Sequence, residues 1–127
     1  MVVVAAGVLI DEGGRVLIAR RHASAHQGGL WEFPGGKVAP GERLEDALAR
    51  ELNEELGITV QTSRLLTQID HDYGDKQVRL VVFHVTQWSG EPRGCEGQPL
   101  AWVDRADLGG YDYPEANQPI LATLETL

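Results

Sequence analysis

The chain has 127 residues, a mass of 13.9 kDa, a formal charge of −8 and a pI near 4.8, a size that suits one hydrophobic core burying about two-thirds of the unfolded chain's surface. So acidic a composition offers no basic stripe to replace counterions along a nucleic-acid polymer, whereas a small phosphorylated ligand served by a metal ion and a few local cations is compatible with it. The lone Cys95 excludes an intrachain disulfide and suits a reducing compartment, and as an isolated thiol it is a poor candidate nucleophile.

In chain order, Val2 to Ile10 and Arg15 to Ala19 read as two strands of a hairpin, joined by Asp11-Glu12-Gly13-Gly14. The first run is too short to span a bilayer and has no signal-peptide character, so a cytoplasmic protein without a membrane partner is expected. An irregular loop through Gly28-Gly29 leads to Trp31-Glu32-Phe33-Pro34-Gly35-Gly36, and a helix is predicted from Leu44 to Leu56. Gln61 to Ile69 and Gln77 to Gln87 have strand character, with Tyr73-Gly74-Asp75 as the turn between them. Leu100 to Asp104 is a short strand, and Pro119 to Leu127 carries a helical period at Ile120, Leu121 and Leu124. Strands on both sides of a central helix, with a second helix at the end, predict an α/β fold in which a mixed sheet is covered by helices. One domain spanning residues 1–127 is expected.

The helix from Leu44 to Leu56 is a poor structure taken by itself. At about 100° per residue, Glu51, Glu54 and Glu55 fall in a narrow sector beside the apolar stripe of Leu44, Leu48, Leu52 and Leu56. Glu51 and Glu55 are a like-charge pair costing about 0.2–0.5 kcal/mol. Glu54 and Glu55 sit at the negative end of the helix dipole, which disfavours each by about 0.3–1 kcal/mol, and Gly57 marks that end as a left-handed cap. A hard cation reverses the sign, because Mg²⁺ or Mn²⁺ selects carboxylate and carbonyl oxygens, with a substrate phosphate completing the shell. The competing reading is a solvated acidic face.

Gly36, Glu42, Arg50, Glu51, Leu52, Glu54, Glu55, Gly57 and Ile58 match, without a departure, the pattern Gx5Ex7REUxEExGU in which U is a bulky aliphatic. In this stretch, residues 36–58, the chain resembles the Nudix hydrolases. Trp88 to Pro99, Tyr113 to Ile120, Ala19-Arg20-Arg21 and Ala25-His26 extend the likeness almost end to end, toward the bacterial MutT branch of that family, the 8-oxo-dGTP diphosphatases. Other small Nudix enzymes, such as CTP hydrolases, share parts of these outer segments.

The resemblance implies a monomeric nucleoside triphosphate pyrophosphohydrolase that uses Mg²⁺, or Mn²⁺, and removes 8-oxo-dGTP from the nucleotide pool as 8-oxo-dGMP and pyrophosphate. Its implied metal ligands are the carbonyl of Gly35 and the carboxylates of Glu51, Glu54, Glu55 and Glu96. Arg50 and Glu42 would form a supporting ion pair, and Glu51 or Glu96 would accept the proton of the attacking water. Arg21 and His26 would contact the nucleotide; Arg20 alternates with Arg21 along the strand, so only one of them faces the cleft. Phe33 and the backbone of Glu32, Pro34 and Gly35 would line the base pocket, although a core role explains Phe33 almost as well. Asn117 offers a donor and an acceptor with which to read a purine edge, and it also occupies an N-cap position ahead of the last helix; the Pro114-Glu115-Ala116-Asn117 context favours base reading. Rival readings are a Nudix hydrolase of CTP or of a dinucleoside polyphosphate, and a noncatalytic nucleotide-binding module.

Overall fold

The structure is a computed structural model and describes residues 1–26 and 28–127. Aliphatic and β-branched residues fill β1 (Val2–Leu9), whose last five positions are all buried, and β6 (Gln77–Ser89), which pairs with it in parallel from Val2↔Val78 to Leu9↔Val85. Two adjacent strands this apolar belong at the centre of a sheet covered on both faces. Their outer neighbours are antiparallel: β4 (Gly35–Lys37) on β1, and the long β5 (Thr59–Asp72) on β6, giving the order β4-β1-β6-β5. A second sheet, β3 (Trp31–Glu32), β2 (Arg15–Arg20) and β7 (Leu100–Asp104), is antiparallel throughout, in the order β3-β2-β7.

Alternation along the strands sends side chains to two cores. Val78, Leu80 and Val82 of β6 join Val16, Ile18, Phe33 and Tyr113, with Ile120 and Leu124 of the C-terminal helix α2 (Gln118–Leu124). Val81, Phe83 and Val85 face the other way, onto Leu48, Leu52 and Leu56 of α1 (Leu44–Leu56). That helix lies so close to β1 that a Cβ on Gly7 would stand 2.9 Å from Leu52 Cδ1, which accounts for glycine there. Gly57, at φ 72°, closes α1 through its amide to the Asn53 carbonyl, as expected of a left-handed cap.

The predicted hairpin between the first two strands needs correction. Its turn forms, with the Asp11 amide on the Arg15 carbonyl at 2.9 Å and the Asp11 carboxylate taking the Arg15 amide at 2.8 Å. Beyond a single bridge, Ile10↔Val16, the two strands separate into different sheets. Both edges of β1 are already occupied by β4 and β6, so β2 has nowhere to pair on it. Elsewhere β5 and β6 run longer than predicted and are bulged against each other. The last helix is shorter, stopping at Leu124. A 3-10 turn over Glu115–Asn117 precedes it and another follows β7 over Arg105–Gly110, neither foreseen in the sequence. Among the described residues no helix is long and apolar enough to cross a membrane.

Candidate active site

Arg50, on the exposed flank of α1, organises the loop that leads into the helix. Its Nε and Nη2 donate to the two Glu42 oxygens at 2.9 Å each, and Nη2 also donates to the Lys37 carbonyl at 3.0 Å. Paired geometry of this kind is among the stronger side-chain interactions. It holds the Glu42 carboxyl down at about 2, first through the Arg50 hydrogen bond and then through the Ala39 amide. Nη1 reaches Glu51 at 2.9 Å and Glu54 at 3.4 Å. The guanidinium therefore fixes the loop and gathers two of the three helix carboxylates.

The edge strand β4 supplies the opposite wall. Pro34 and Val38 turn their backbone groups toward β1, accepting from Gly7 and donating to Val3. Alternation then turns the amides and carbonyls of Gly35 and Lys37 outward, to the side of α1. The Gly35 amide meets Glu55 Oε2 at 3.2 Å, and the Lys37 carbonyl meets Arg50. Glu51 packs flat on Gly36, where an added Cβ would collide with its carboxyl group. Gly36→Ala is thus expected to displace Glu51 and lower turnover by about a hundredfold, the scale for misplacing a catalytic group by an ångström. The melting temperature should stay near wild type, because the group displaced is the far end of a flexible side chain; kcat at saturating metal and thermal melting of the same variant check both parts.

Glu96 arrives from a separate loop fastened to the end of α1. The Arg93 amide donates to the Leu56 carbonyl and the Cys95 amide to the Glu55 carbonyl, both at 3.0 Å, and Gln98 Nε2 is a second donor to that Glu55 carbonyl, also at 3.0 Å. These donors satisfy carbonyls that a helix end leaves open, and the loop they hold carries Glu96 to the group around Glu55. Burial first, and then the charges of Glu32, Glu51 and Glu96, push the Glu55 carboxyl up to about 8. Glu32 and Glu51 are paired with Arg21 and Arg50, but no basic side chain is hydrogen-bonded to Glu55 among the described residues, so Glu55 is left without a counterion of its own.

A cleft lies on the other side of Gly35, walled by Arg21, His26, Phe33, Tyr73 and Asn117 and flanked by both lysines of the chain, Lys37 and Lys76. Arg21 faces it, with Nη1 on Glu32 at 2.6 Å and Nε on the His26 carbonyl at 2.8 Å, while Arg20 turns instead to the Gly29 carbonyl. Burial raises the Glu32 carboxyl's pKa, an effect that Arg21 partly offsets. His26 stands edge-on to Tyr73 at 5.1 Å. Phe33 is buried, stacked on Tyr113 at 5.9 Å, and also forms part of the wall, so its core and pocket roles coincide.

One predicted position differs from expectation, and at Asn117 the structure bears on the cap alternative. Pro34 is buried with its carbonyl committed to Gly7, so it supports the pocket without lining it. Asn117 precedes α2 but makes no side-chain cap; its side chain is buried and Oδ1 faces the Phe33 amide at 3.5 Å. The 3-10 turn before α2 explains this, since its αR backbone at Asn117 is not the extended conformation a capping side chain needs. The sequence reading missed Lys37, an unspecified position of the motif stretch on β4, and Tyr73, Lys76 and Gln98, which carry no motif and reach the site only through the hairpin and loop that present them.

The carboxylates fit a divalent cation in donor chemistry. They are oxygen-only and crowded, four carboxylates with Arg50 as the cation bonded to two of them, and set beside an outward-facing glycine carbonyl at Gly35. As they stand, no three acidic side chains among the described residues already form an ion cage. Glu51 and Glu54 turn to Arg50, and Glu55 turns to the Gly35 amide.

A NUDIX domain family model matches residues 5–123, and the chain belongs to the Nudix hydrolase family, enzymes that act on small nucleotides with divalent metal cations. Within it the chain is 41% identical over 124 residues to the 8-oxo-dGTP diphosphatase of Escherichia coli K12, covering 98% of this chain and 96% of that one. It is also 35% identical over 119 residues to the CTP pyrophosphohydrolase of the same organism, covering 94% and 88%. A solved structure from a study of MutT from Aliivibrio salmonicida and Vibrio cholerae superposes with a TM-score of 0.87 at 38% identity, over 99% of this chain and 98% of that one.

Proposed function

We propose that the protein hydrolyses nucleoside triphosphates to the monophosphate and pyrophosphate, with 8-oxo-dGTP as its preferred substrate and Mg²⁺ as its cation. The observation that carries this reading is the shared wall at Gly35, which has the buried amide of Asn117 and the Phe33 backbone on one side and the Glu51–Glu55 carboxylates on the other. A purine seated against Asn117 sends its phosphates past that wall to the acidic group.

Glu51, Glu54, Glu55, Glu96 and the Gly35 carbonyl are the groups that would hold the cation. When bound, it neutralises phosphate charge and acidifies coordinated water. The chain's own contribution is placement. Arg50 aligns Glu51 and Glu54, Arg21 faces the nucleotide beside His26, and Glu51 or Glu96 accepts the proton of the water attacking the β-phosphorus. Glutamine substitution at each of the last two, read through the pH–rate profile, separates them.

Heavy-oxygen water tests the reaction: the label is expected in pyrophosphate. Label in the monophosphate would place attack at the α-phosphorus, and release of orthophosphate would reject the reaction altogether. The CTP relative motivates one other substrate reading, which a panel of nucleoside triphosphates decides by base preference.

A further inference from the structure

The 3-10 turn that carries Asn117 is held at three successive residues. The Glu115 carboxylate lies 3.0 Å from His71 Nε2, the Ala116 amide donates to the Tyr73 hydroxyl oxygen at 2.9 Å, and the Asn117 side chain meets the Phe33 amide. His71 and Tyr73 come from the end of β5 and the turn beyond it, and their rings meet edge to face at 4.5 Å. That turn is itself fixed, with the Tyr73 amide on the Lys76 carbonyl at 2.9 Å and the Gly74 amide on Asp72 at 2.8 Å. Ala116 is 2% exposed, so without the Tyr73 oxygen its N–H would be a buried donor with no acceptor.

Of the three tethers, the outer ones differ in kind from the middle one. The His71–Glu115 contact ends on a carboxylate that is 78% exposed, and contacts held in water in this way contribute little. The Asn117–Phe33 contact is at the long limit for a hydrogen bond. The Tyr73–Ala116 bond, at 2.9 Å, has ordinary good length, sits against a buried residue, and immediately precedes Asn117 in the chain.

We propose that Tyr73 is a specificity-determining positioning residue: its hydroxyl, by anchoring the Ala116 amide, sets the depth and orientation at which Asn117 enters the base pocket. The proposal rests on the base-reading role of Asn117. It assigns the β5–β6 turn, remote in sequence from every motif residue, to base selection rather than to chemistry.

Tyr73→Phe keeps the ring and its contacts and removes only the oxygen. The expected result is a drop of about tenfold in affinity for 8-oxo-dGMP, the order of one lost buried hydrogen bond, with a smaller change for dGMP, so that the ratio between them falls. At saturating 8-oxo-dGTP and metal, kcat should change little, placing the effect in KM; a merely structural role would lower both together or leave the ratio untouched. An unchanged ratio overturns the proposal. Hydrogen exchange at the Ala116 amide of the wild-type protein is the second measurement: slow exchange is expected, and exchange at the rate of an open loop overturns it as well. If the wild type shows no preference for the oxidised base, the substrate reading fails by itself. The same ratio is then taken between the tightest- and weakest-bound monophosphates of a panel, and its persistence in Tyr73→Phe rejects the positioning role.

Discussion

Glu55→Gln is expected to abolish pyrophosphate release while raising the melting temperature of the metal-free protein. The two effects share one cause. Glu55 sits among Glu32, Glu51 and Glu96, partly withdrawn from water, and its carboxyl is pushed up to about 8. Ionising it at neutral pH therefore costs folding energy that only a bound cation returns. The amide has nearly the same shape and removes the charge, so the metal-free fold gains. The loaded enzyme loses an oxygen ligand, which costs several kcal/mol of transition-state stabilisation. Glu54→Gln should also inactivate, with less gain in stability, because Glu54 is over half exposed and lies near Arg50. Near wild-type turnover by either variant at saturating Mg²⁺ would overturn the metal-site reading.

Linkage gives the same reading in pH. A carboxyl whose folded pKa lies above its unfolded one contributes stability below the unfolded value, and that contribution is lost as pH rises through the folded value. For Glu55 the window runs from about 4.5 to about 8. Metal-free protein should lose stability across that range on account of this group, and the loss should be absent in Glu55→Gln and reversed by Mg²⁺. Glu42 behaves oppositely: held at about 2 by Arg50, it supports the fold above its ordinary value and withdraws that support as pH falls toward 2. Denaturant melts with and without metal separate the two, the Glu55 loss falling between its ordinary value and about pH 8 and the Glu42 loss below its ordinary value toward pH 2.

The helix and its charges were legible because they are local. The apolar stripe, the glycine cap and the repulsion among Glu51, Glu54 and Glu55 all follow from spacing along one turn-regular element, and α1 spans Leu44–Leu56 as the periodicity predicts. The departure of β1 from β2 was not legible, since which strand fills an edge depends on β4 and β6, distant in sequence. For the same reason Asn117 showed two local readings, cap and base reader. A 3-10 turn that rotates its side chain inward toward Phe33 decides against the cap, and no short-range pattern announces such a turn. Tyr73 and Gln98 reach the site by tertiary hydrogen bonds alone, to Ala116 and to the Glu55 carbonyl.

Asn117→Ala is expected to remove most of the preference for 8-oxo-dGTP over dGTP while leaving triphosphate hydrolysis less affected. With Oδ1 toward the Phe33 amide, the side-chain NH₂ is free to donate to O6 of a guanine; the reverse orientation would set two donors against each other. Oδ1 keeps a second lone pair. Oxidation at C8 turns N7 from an acceptor into an N–H donor, so the lesion can supply a hydrogen to that oxygen, or to a backbone carbonyl ordered beside it, where normal guanine presents a second acceptor. Such a difference is worth about 1–3 kcal/mol per buried group, or about tenfold to two-hundredfold in affinity. Truncation to alanine removes both halves of the amide and also leaves the Phe33 N–H without this partner, so some loss of stability accompanies it. Asn117→Asp separates the two effects, since it keeps an acceptor for Phe33 and nearly the same volume but deletes the donor to O6. Asn117→Ala should lose selectivity in binding 8-oxo-dGMP against dGMP and some melting temperature, whereas Asn117→Asp, which keeps the acceptor that meets N7–H, should bind both monophosphates more weakly and retain a preference for the oxidised base. A preference that survives unchanged in Asn117→Ala would reject base reading by Asn117 and leave its amide as a structural tie to Phe33.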